Sequence, residues 1–530
     1  MFWIVDEEEI IETFSVIRGK DMYTYNLGQV FQNVSRQYGN KIAIIFDGRD
    51  QIGFQELDIL SNKAANFLIS MGVKKLDVVA IQNKKSPMGF AMMIACLKLG
   101  IIYTNFDYTN PVERIRKIFN TAAPRLVFAD ERNATIENLC NELNIRYFPA
   151  DANHVFLDSE GESLDQQLLS AVSGNNPAYI MFTSGSTGIP KGVLIAQKSL
   201  MNFIQWGREN YHLTPNDIMT NVNPIYFDNS VFDFYCSVFN GITMVALSKE
   251  SVDKPKEMLQ IIHDTRCTFW FSVPSMLIYL SNLKLLTKEI LGHIRIFSFG
   301  GEGYPKELLR KLYRIYADTA DFYNVYGPTE GTCICSAYRI QREDIEADGL
   351  SPLGQIAPNF SYVILDKKEE VCKCGELCLM GDQLALGYYN DEERTNKSFV
   401  RYKGIPSYNA RMYKTGDLVE VRHGKLYFIG RIDNQIKHMG YRIELEEIEN
   451  ALIKIPGVKQ CAVIHTVSRN NLSKLIAFIA TDMQMEDLGL RQELRKYLPD
   501  YMIPNKLEYM SELPKNANGK IDRKKLENMR

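Results

Sequence analysis

Histidine is scarce in this sequence, seven in 530 residues. No Ser/His/Asp or Cys/His constellation stands out, so chemistry that rests on a histidine base is not where the sequence points. Net charge is nearly absent as well. The 61 basic and 64 acidic side chains leave a formal charge of −3, which argues against a general nucleic-acid or membrane-surface role. No stretch of about 18 uncharged apolar residues occurs, so no membrane-spanning helix is expected. The first residues carry Asp6, Glu7, Glu8 and Glu9, and lack the positive start and apolar run of a secretory signal. The ten cysteines follow no framework spacing, so the thiols are read as reduced and the chain as cytoplasmic. The tightest group, Cys372, Cys374 and Cys378, has neither the Cys-x-x-Cys pairing nor the neighbouring histidines that structural zinc prefers, and is read as strand positions. Repeats, heptads and low-complexity tracts are missing too.

What is present is an ordinary globular composition, 45% hydrophobic and 24% charged, long enough for about two to four packed units. Short β-branched and aromatic runs alternate with helical patterns. Strands are expected at Ile42–Phe46, Val78–Gln82, Leu126–Ala129, Tyr179–Thr183, Met244–Leu247, Thr268–Ser272, Ile294–Phe299 and Phe322–Tyr326, with helices such as Met88–Leu99 and Lys306–Tyr316 between them. Several of these strands are apolar on both faces, as in a sheet covered by helices. The fold class is therefore α/β: a large N-terminal domain, residues 1–430, of helix-covered sheets. After Gly430 the pattern changes to a small α+β domain, residues 431–530. A helix at Glu444–Ile453 precedes strands at Cys461–His465 and Lys474–Ala480, a helix at Leu490–Leu498 and a loop at Pro514–Lys520. Gly430–Asn434 would be the linker.

The strongest chemical signal is Thr183-Ser184-Gly185-Ser186-Thr187-Gly188-Ile189-Pro190-Lys191-Gly192, directly after an apolar run. Glycines let the backbone approach a phosphate, hydroxyls and N–H groups donate to its oxygens, and lysine neutralises charge. A Walker A loop needs its lysine next to Ser/Thr and a helix after it, so a P-loop ATPase is excluded.

This loop resembles the phosphate-binding signature of the adenylate-forming superfamily, which holds acyl-CoA ligases, luciferases, adenylation domains of nonribosomal peptide synthetases and D-alanine–carrier-protein ligases. Four further motifs follow in that family's order. They are Asn324-Val325-Tyr326-Gly327-Pro328-Thr329-Glu330, Tyr413-Lys414-Thr415-Gly416-Asp417, Gly430-Arg431-Ile432-Asp433-Asn434-Gln435-Ile436-Lys437, and Asn518-Gly519-Lys520-Ile521-Asp522-Arg523. The resemblance implies ATP and Mg²⁺ as cofactors and a role for each motif. Asn324 would read the adenine edge, and Tyr326, followed by Gly327, would pack on the base. Thr329 would donate to the α-phosphate, and Glu330 would hold Mg²⁺. Asp417 would accept from the ribose hydroxyls, and Arg431 would assist at the ribose–phosphate end. Lys520, on a mobile small domain hinged at Asp433, would bridge the substrate carboxylate and the α-phosphate. No general base is needed, because a carboxylate with a pKa of about 4 is already ionised at neutral pH. The barrier lies in bringing anions together, which Lys191, Lys520 and the metal address.

The segment Tyr226-Phe227-Asp228-Asn229-Ser230 resembles the Phe-Asp-x-Ser motif of the amino-acid-activating branches, where the aspartate pairs with the substrate's α-ammonium group. That resemblance implies a substrate pocket of Asp228, Asn229, Phe232, Ser272, Phe297, Phe299, Gly300, Val325, Cys333 and Ile334, and a compact amino acid. In D-alanine ligases a cysteine stands where Gly300 stands here, a departure that leaves the amino acid and its chirality open. The chain ends ten residues after Lys520 without a Gly-Gly-x-Ser attachment site. The acceptor is therefore expected in trans, as a carrier protein with a phosphopantetheine arm or as CoA, with Gly440 lining the thiol's approach. The sequence leaves two alternatives open: an acyl-CoA ligase, which would have no use for Asp228, and a non-catalytic nucleotide-binding homologue, which would have no need of Lys191, Glu330, Asp417 and Lys520 together.

Overall fold

The computed structural model describes residues 25–150, 164–404, 409–467, 473–483, 485–516 and 521–529. Two sheets form the body of the large N-terminal part. In the nine-stranded sheet the central run is parallel: Asp321–Tyr326, Ile296–Gly300, Phe269–Ser272, Ile218–Asn221, Thr243–Ala246 and Ile42–Phe46 lie side by side. In the seven-stranded sheet, Pro177–Thr183, Ile102–Asn105, Val78–Gln82, Leu126–Ala129 and Arg146–Pro149 are parallel neighbours, and Lys191–Ala196 returns antiparallel beside Pro177–Thr183.

Strands buried on both faces need helices on both sides. Val78–Gln82 and Ile296–Gly300 are buried at every residue. One apolar cluster joins the facing sides of the two sheets through helices Leu27–Tyr38, Phe54–Ser70, Pro87–Leu99, Gln197–Asn210 and Asn229–Val238. The outer face of the nine-stranded sheet is covered by helices that include Pro255–Asp264 and Lys306–Tyr316. The outer face of the seven-stranded sheet is covered by Val112–Ala122 and Ala134–Glu142. Local chemistry explains the ends of these helices. Ser86 accepts from the Gly89 N–H, Pro87 occupies the first turn, and Gly100 closes the helix with φ +65°, which is the pattern such termini favour. Lys306–Tyr316 buries Leu308, Leu309, Leu312 and Tyr316 on one face, a helical spacing.

An antiparallel five-stranded sheet follows, which period reading did not resolve. Its long strand Arg411–Arg422 pairs with Cys374–Gly381 and Lys425–Arg431. Cys374 and Cys378 lie on the first of these strands, and all three thiols of that group are free. Among the described residues no cluster of three or more potential metal-binding side chains occurs, and no helix is long and apolar enough to cross a membrane.

The smaller C-terminal part begins with the hairpin Gln435–His438/Tyr441–Glu444. It continues with a three-stranded sheet of Gln460–Val467, Ser473–Ala480 and Lys506–Met510. Helices Leu445–Leu452 and Asp487–Leu494 pack on one face of that sheet, and Arg523–Asn528 packs on the other.

Candidate functional site

The phosphate-loop motif is the turn of a β-hairpin, with Thr183 opposite Lys191. A side chain at Gly185 would put its Cβ 2.1 Å from the Ile189 carbonyl oxygen, so only glycine fits this turn. Lys191 opens the return strand, buried, with its Nζ 3.6 Å from Glu330 and 3.9 Å from Glu444. Burial, with Arg442 adding to it, lowers the Lys191 ammonium to about 8 against the pull of the two carboxylates. Glu330 is fully buried. Tyr388 Oη donates to one of its oxygens at 2.6 Å, and Arg442 Nη1 donates to the other at 2.7 Å. Burial alone would raise this carboxyl, but Arg442 and Lys191 outweigh it and hold it well below the usual range.

Asp228 sits at the start of helix Asn229–Val238 and accepts a hydrogen bond from Thr329 Oγ1. Burial raises its pKa, and the Thr329 bond with the cations Lys437 and Arg442 offset part of that. A cleft of about 70 Å³ opens beside it, lined by Asp228, Asn229, Phe271, Gly300, Val325, Cys333 and Ile334 among others. Thr183, Ser184, Gly327 and Thr329 border the same cleft. A larger cavity of about 500 Å³ adjoins it and is lined by Asn324, Tyr326, Asp417, Arg431 and Lys437. There Tyr326 Oη and Arg431 Nη1 donate to the two oxygens of Asp417, at 2.6 and 2.5 Å. Arg431 also grips Asp433 with two bonds of 2.6 and 2.8 Å. Asn324 donates to the Pro352 carbonyl at 2.7 Å.

Three of the expected pocket residues do not line this cleft. Phe297 stacks on Phe322 at 5.6 Å, Phe299 meets Tyr304 edge-on at 4.8 Å, and Ser272 accepts from Trp270 Nε1. The two phenylalanines lie in the cluster on the outer face of the nine-stranded sheet. The reason is the two-residue period of a strand: a one-residue slip in register sends every side chain to the opposite face. Phe271 and Gly300 are the residues that reach the cleft. Phe232 packs beneath Phe271, with ring centroids 4.9 Å apart, as core rather than lining. The catalytic lysine expected from the last motif, Lys520, lies outside the described residues, as do Asn518 and Gly519.

Apart from Gly440, expected on the thiol's approach, the residues that the smaller part brings here were given no role from sequence. The hairpin of the smaller part enters the cleft. Its Gly440 N–H donates to Glu302 at 2.6 Å. Gly440 has φ +84°, and a Cβ there would lie 2.6 Å from Val273. Ser184 Oγ donates to the Arg442 carbonyl at 2.6 Å and accepts from the Glu444 N–H at 3.2 Å. Asn450 donates to the Ser186 carbonyl, and Glu447 pairs with Arg114. Tyr441 stacks on Tyr501 at 3.7 Å, and Phe227 closes edge-on against Tyr441 at 4.8 Å. Lys437 borders both cavities. Burial lowers its ammonium, and Asp417 and Asp228 resist that. The motif over residues 430–437 leads into this segment, but nothing in its order names the partners across the cleft.

The chain matches the family model of AMP-binding enzymes over residues 31–389 and that of the AMP-binding enzyme C-terminal domain over residues 447–520. It belongs to the AMP-binding enzyme family and is an AMP-forming ligase. Over 496 residues it is 34% identical to the D-alanine--D-alanyl carrier protein ligase of Listeria monocytogenes serotype 4b (strain F2365), across 90% of this chain and 94% of that one. It is 31% identical over 515 residues to gramicidin S synthase 2 of Aneurinibacillus migulanus, a match that spans 96% of this chain and 11% of that much longer protein. Among solved structures, the Vibrio cholerae adenylation domain AlmE, in complex with glycyl-adenosine-5'-phosphate, superposes with a TM-score of 0.82. That likeness covers 96% of this chain and 98% of that one at 22% identity, and carries the fold.

Proposed function

We propose that this enzyme adenylates a compact amino acid and passes it to a thiol supplied in trans. The substrate carboxylate attacks the α-phosphorus of ATP, forming a carboxyl–phosphate anhydride as pyrophosphate leaves. A thiolate then attacks the acyl carbon, forming the thioester as AMP leaves. The acceptor is the phosphopantetheine thiol of a carrier protein or CoA, in keeping with the ligase that this chain resembles.

The observation that carries the reading is Asp228, a half-buried carboxylate at the mouth of a cleft of about 70 Å³, beside Thr329 and the phosphate loop. An anion so placed suits an α-ammonium group, and the small apolar floor of Phe271, Val325 and Ile334 suits a side chain of few atoms. The larger cavity suits a nucleoside, with Asn324 and Tyr326 toward the base and Asp417 and Arg431 toward the ribose. Glu330, held ionised beside the phosphate loop, has the hard oxygen donor that magnesium prefers. Bound there, the ion would supply neutralising charge to phosphate oxygens. Lys191 faces the same phosphates, and Lys520 is assigned the bridge between carboxylate and α-phosphate. We take residues 1–430 and 431–530 as the two units and Asp433, held by Arg431, as the hinge between them.

Amino-acid-dependent ATP–pyrophosphate exchange, run with both enantiomers of the common amino acids, tests this reading. Exchange is expected with one or a few compact amino acids. Asp228→Ala and Lys520→Ala should each lower it by roughly 10²-fold, the scale of losing a charge partner in the transition state. Exchange with fatty or aryl acids and none with amino acids would overturn the assignment.

A further inference from the structure

Asp228 and Phe271 reach the cleft from different elements, and one side chain behind the cleft joins the two. Asn223, just after strand Ile218–Asn221, is buried, as is Asp233 on helix Asn229–Val238. Asn223 Nδ2 donates to Asp233 Oδ2 at 2.9 Å and to the Phe271 carbonyl at 3.1 Å. An amide nitrogen carries two hydrogens, so both are used. The first bond closes the stretch of chain between Asn223 and Asp233, with Asp228 midway along it. Inside that stretch Ser230 Oγ lies 2.7 Å from the Phe227 carbonyl oxygen and 3.1 Å from that of Ile225. The second bond stands in for a rung of the sheet. Strand Phe269–Ser272 pairs with Ile218–Asn221 at Phe269 and Met219. Further along, the Phe271 carbonyl takes its donor from the Asn223 side chain, as a buried backbone group must find one.

Asp233 is itself fixed. Asn221 Nδ2 donates to the same oxygen at 2.8 Å. The Asn221 carbonyl in turn accepts from Lys85 Nζ at 2.6 Å, and Lys85 lies just beyond strand Val78–Gln82 of the other sheet. Burial pushes the Asp233 carboxyl up, and the two amides and Lys85 work against that. Its Oδ2 can accept both bonds whether or not a proton sits on the other oxygen.

We propose that Asn223, anchored by Asp233, is a positioning residue that sets the width of the substrate cleft and so restricts it to compact amino acids. This rests on the roles given to Asp228 and Phe271 under the proposed function. Asn223 does not line the cleft; it acts through two residues that do. With the ammonium group held at Asp228, a longer side chain fits only if the Phe271 wall moves away. Packing between rings is non-directional and lets such a wall slide. A hydrogen bond holds its two atoms to within a few tenths of an ångström. Parting the walls would also leave a buried carbonyl or carboxyl oxygen unpaired, so the cleft resists widening.

The test is ATP–pyrophosphate exchange on the full chain, with ATP and amino acid titrated separately and the amino acids ordered by side-chain size. Asn223→Ala should raise KM for the preferred amino acid about 10-fold, the scale of moving a binding group by part of an ångström. Its preference over the next larger amino acid should fall roughly 10-fold, about the worth of one methylene in a pocket. KM for ATP should not change. Asn223→Ser, a milder change at the same place, should move both quantities in the same direction by less. Asp233→Asn keeps an acceptor oxygen for Asn223 and should stay near the wild type. Asn221→Ala removes the other donor to Asp233 but touches neither wall, and should leave the size preference intact. A wild-type size preference in both Asn223 variants, or a rise in KM for ATP equal to that for the amino acid, would overturn the clamp alone. A wild type without amino-acid-dependent exchange would overturn the assignment of Asp228 and the clamp with it.

Discussion

The ion pair between Arg114 and Glu447 offers a direct test of whether the docked arrangement serves thioester transfer. The two side chains are 6% and 4% exposed and come from the large and the small parts respectively. Burial works against the Arg114 charge, and Glu447 more than restores it. One oxygen of Glu447 has no partner among the described residues, so the pair is imperfectly compensated. Such a pair contributes little net stability compared with well-packed apolar residues, whereas removing one partner strands a buried charge at a cost of about 3–5 kcal/mol. The chain can avoid that cost by undocking, so the loss should appear as a population shift rather than as unfolding. At about 1.4 kcal/mol per decade, a loss of about 3 kcal/mol lowers the docking equilibrium constant roughly 10²-fold. Arg114→Ala should therefore slow thioester loading by up to roughly 10²-fold while ATP–pyrophosphate exchange, which on the proposed reading does not need this arrangement, is preserved. The double change Arg114→Met/Glu447→Met should recover most of the loading, because neither charge is then stranded. Loading and exchange would be measured on the same preparations, with radiolabelled amino acid for the first. A fall in exchange equal to the fall in loading, or a double variant as slow as the single one, would refute the reasoning.

The register of the candidate cleft predicts opposite outcomes for two phenylalanines. Phe271→Ala should widen the range of amino acids that support exchange, whereas Phe299→Ala should leave that range alone and lower stability by about 3–5 kcal/mol, as for a large core truncation, read by denaturant melts. A third expectation concerns acid. His438 Nδ1 and His465 Nε2 each lie 2.5 Å from Ser473 Oγ, and burial, with His465 adding, lowers His438 to about 4. The unfolded chain takes up a proton near pH 6.5 that folded His438 refuses, so this contribution is whole above that pH. It falls away as pH drops towards 4, by up to about 3 kcal/mol. His438→Asn should flatten stability against pH across that window, and an unchanged slope would sink the assignment.

Much of the frame is written locally. The strands Val78–Gln82 and Leu126–Ala129 and the helix Lys306–Tyr316 have the bounds that their periodicity predicts, because burial on both faces, or on one helical stripe, leaves a direct mark in residue order. The phosphate loop and its companion motifs are legible for a similar reason: glycine, hydroxyl and charge must recur at fixed spacing to meet a phosphate. The five-stranded sheet is less visible, since a strand such as Arg411–Arg422 is half exposed and shares its residues with a motif. The lining of the candidate cleft is legible only to within one residue of register. Phe297 and Phe299 lie on one face of their strand and Ser298 and Gly300 on the other, which apolar content cannot fix when both faces are buried. Least legible are the contacts between the two parts. Arg442 with Glu330, Glu447 with Arg114, and Gly440 with Glu302 join residues more than a hundred positions apart, and each reads on its own as an ordinary charge or turn. One of these pairs occupies Glu330, the carboxylate that the proposed function gives to a metal. On that reading a cleft that holds a metal-bound triphosphate and later a thiol needs partners that can be exchanged. The same Glu330 that is suited to a cation from solution is suited, for the same electrostatic reason, to the cation that the small part carries.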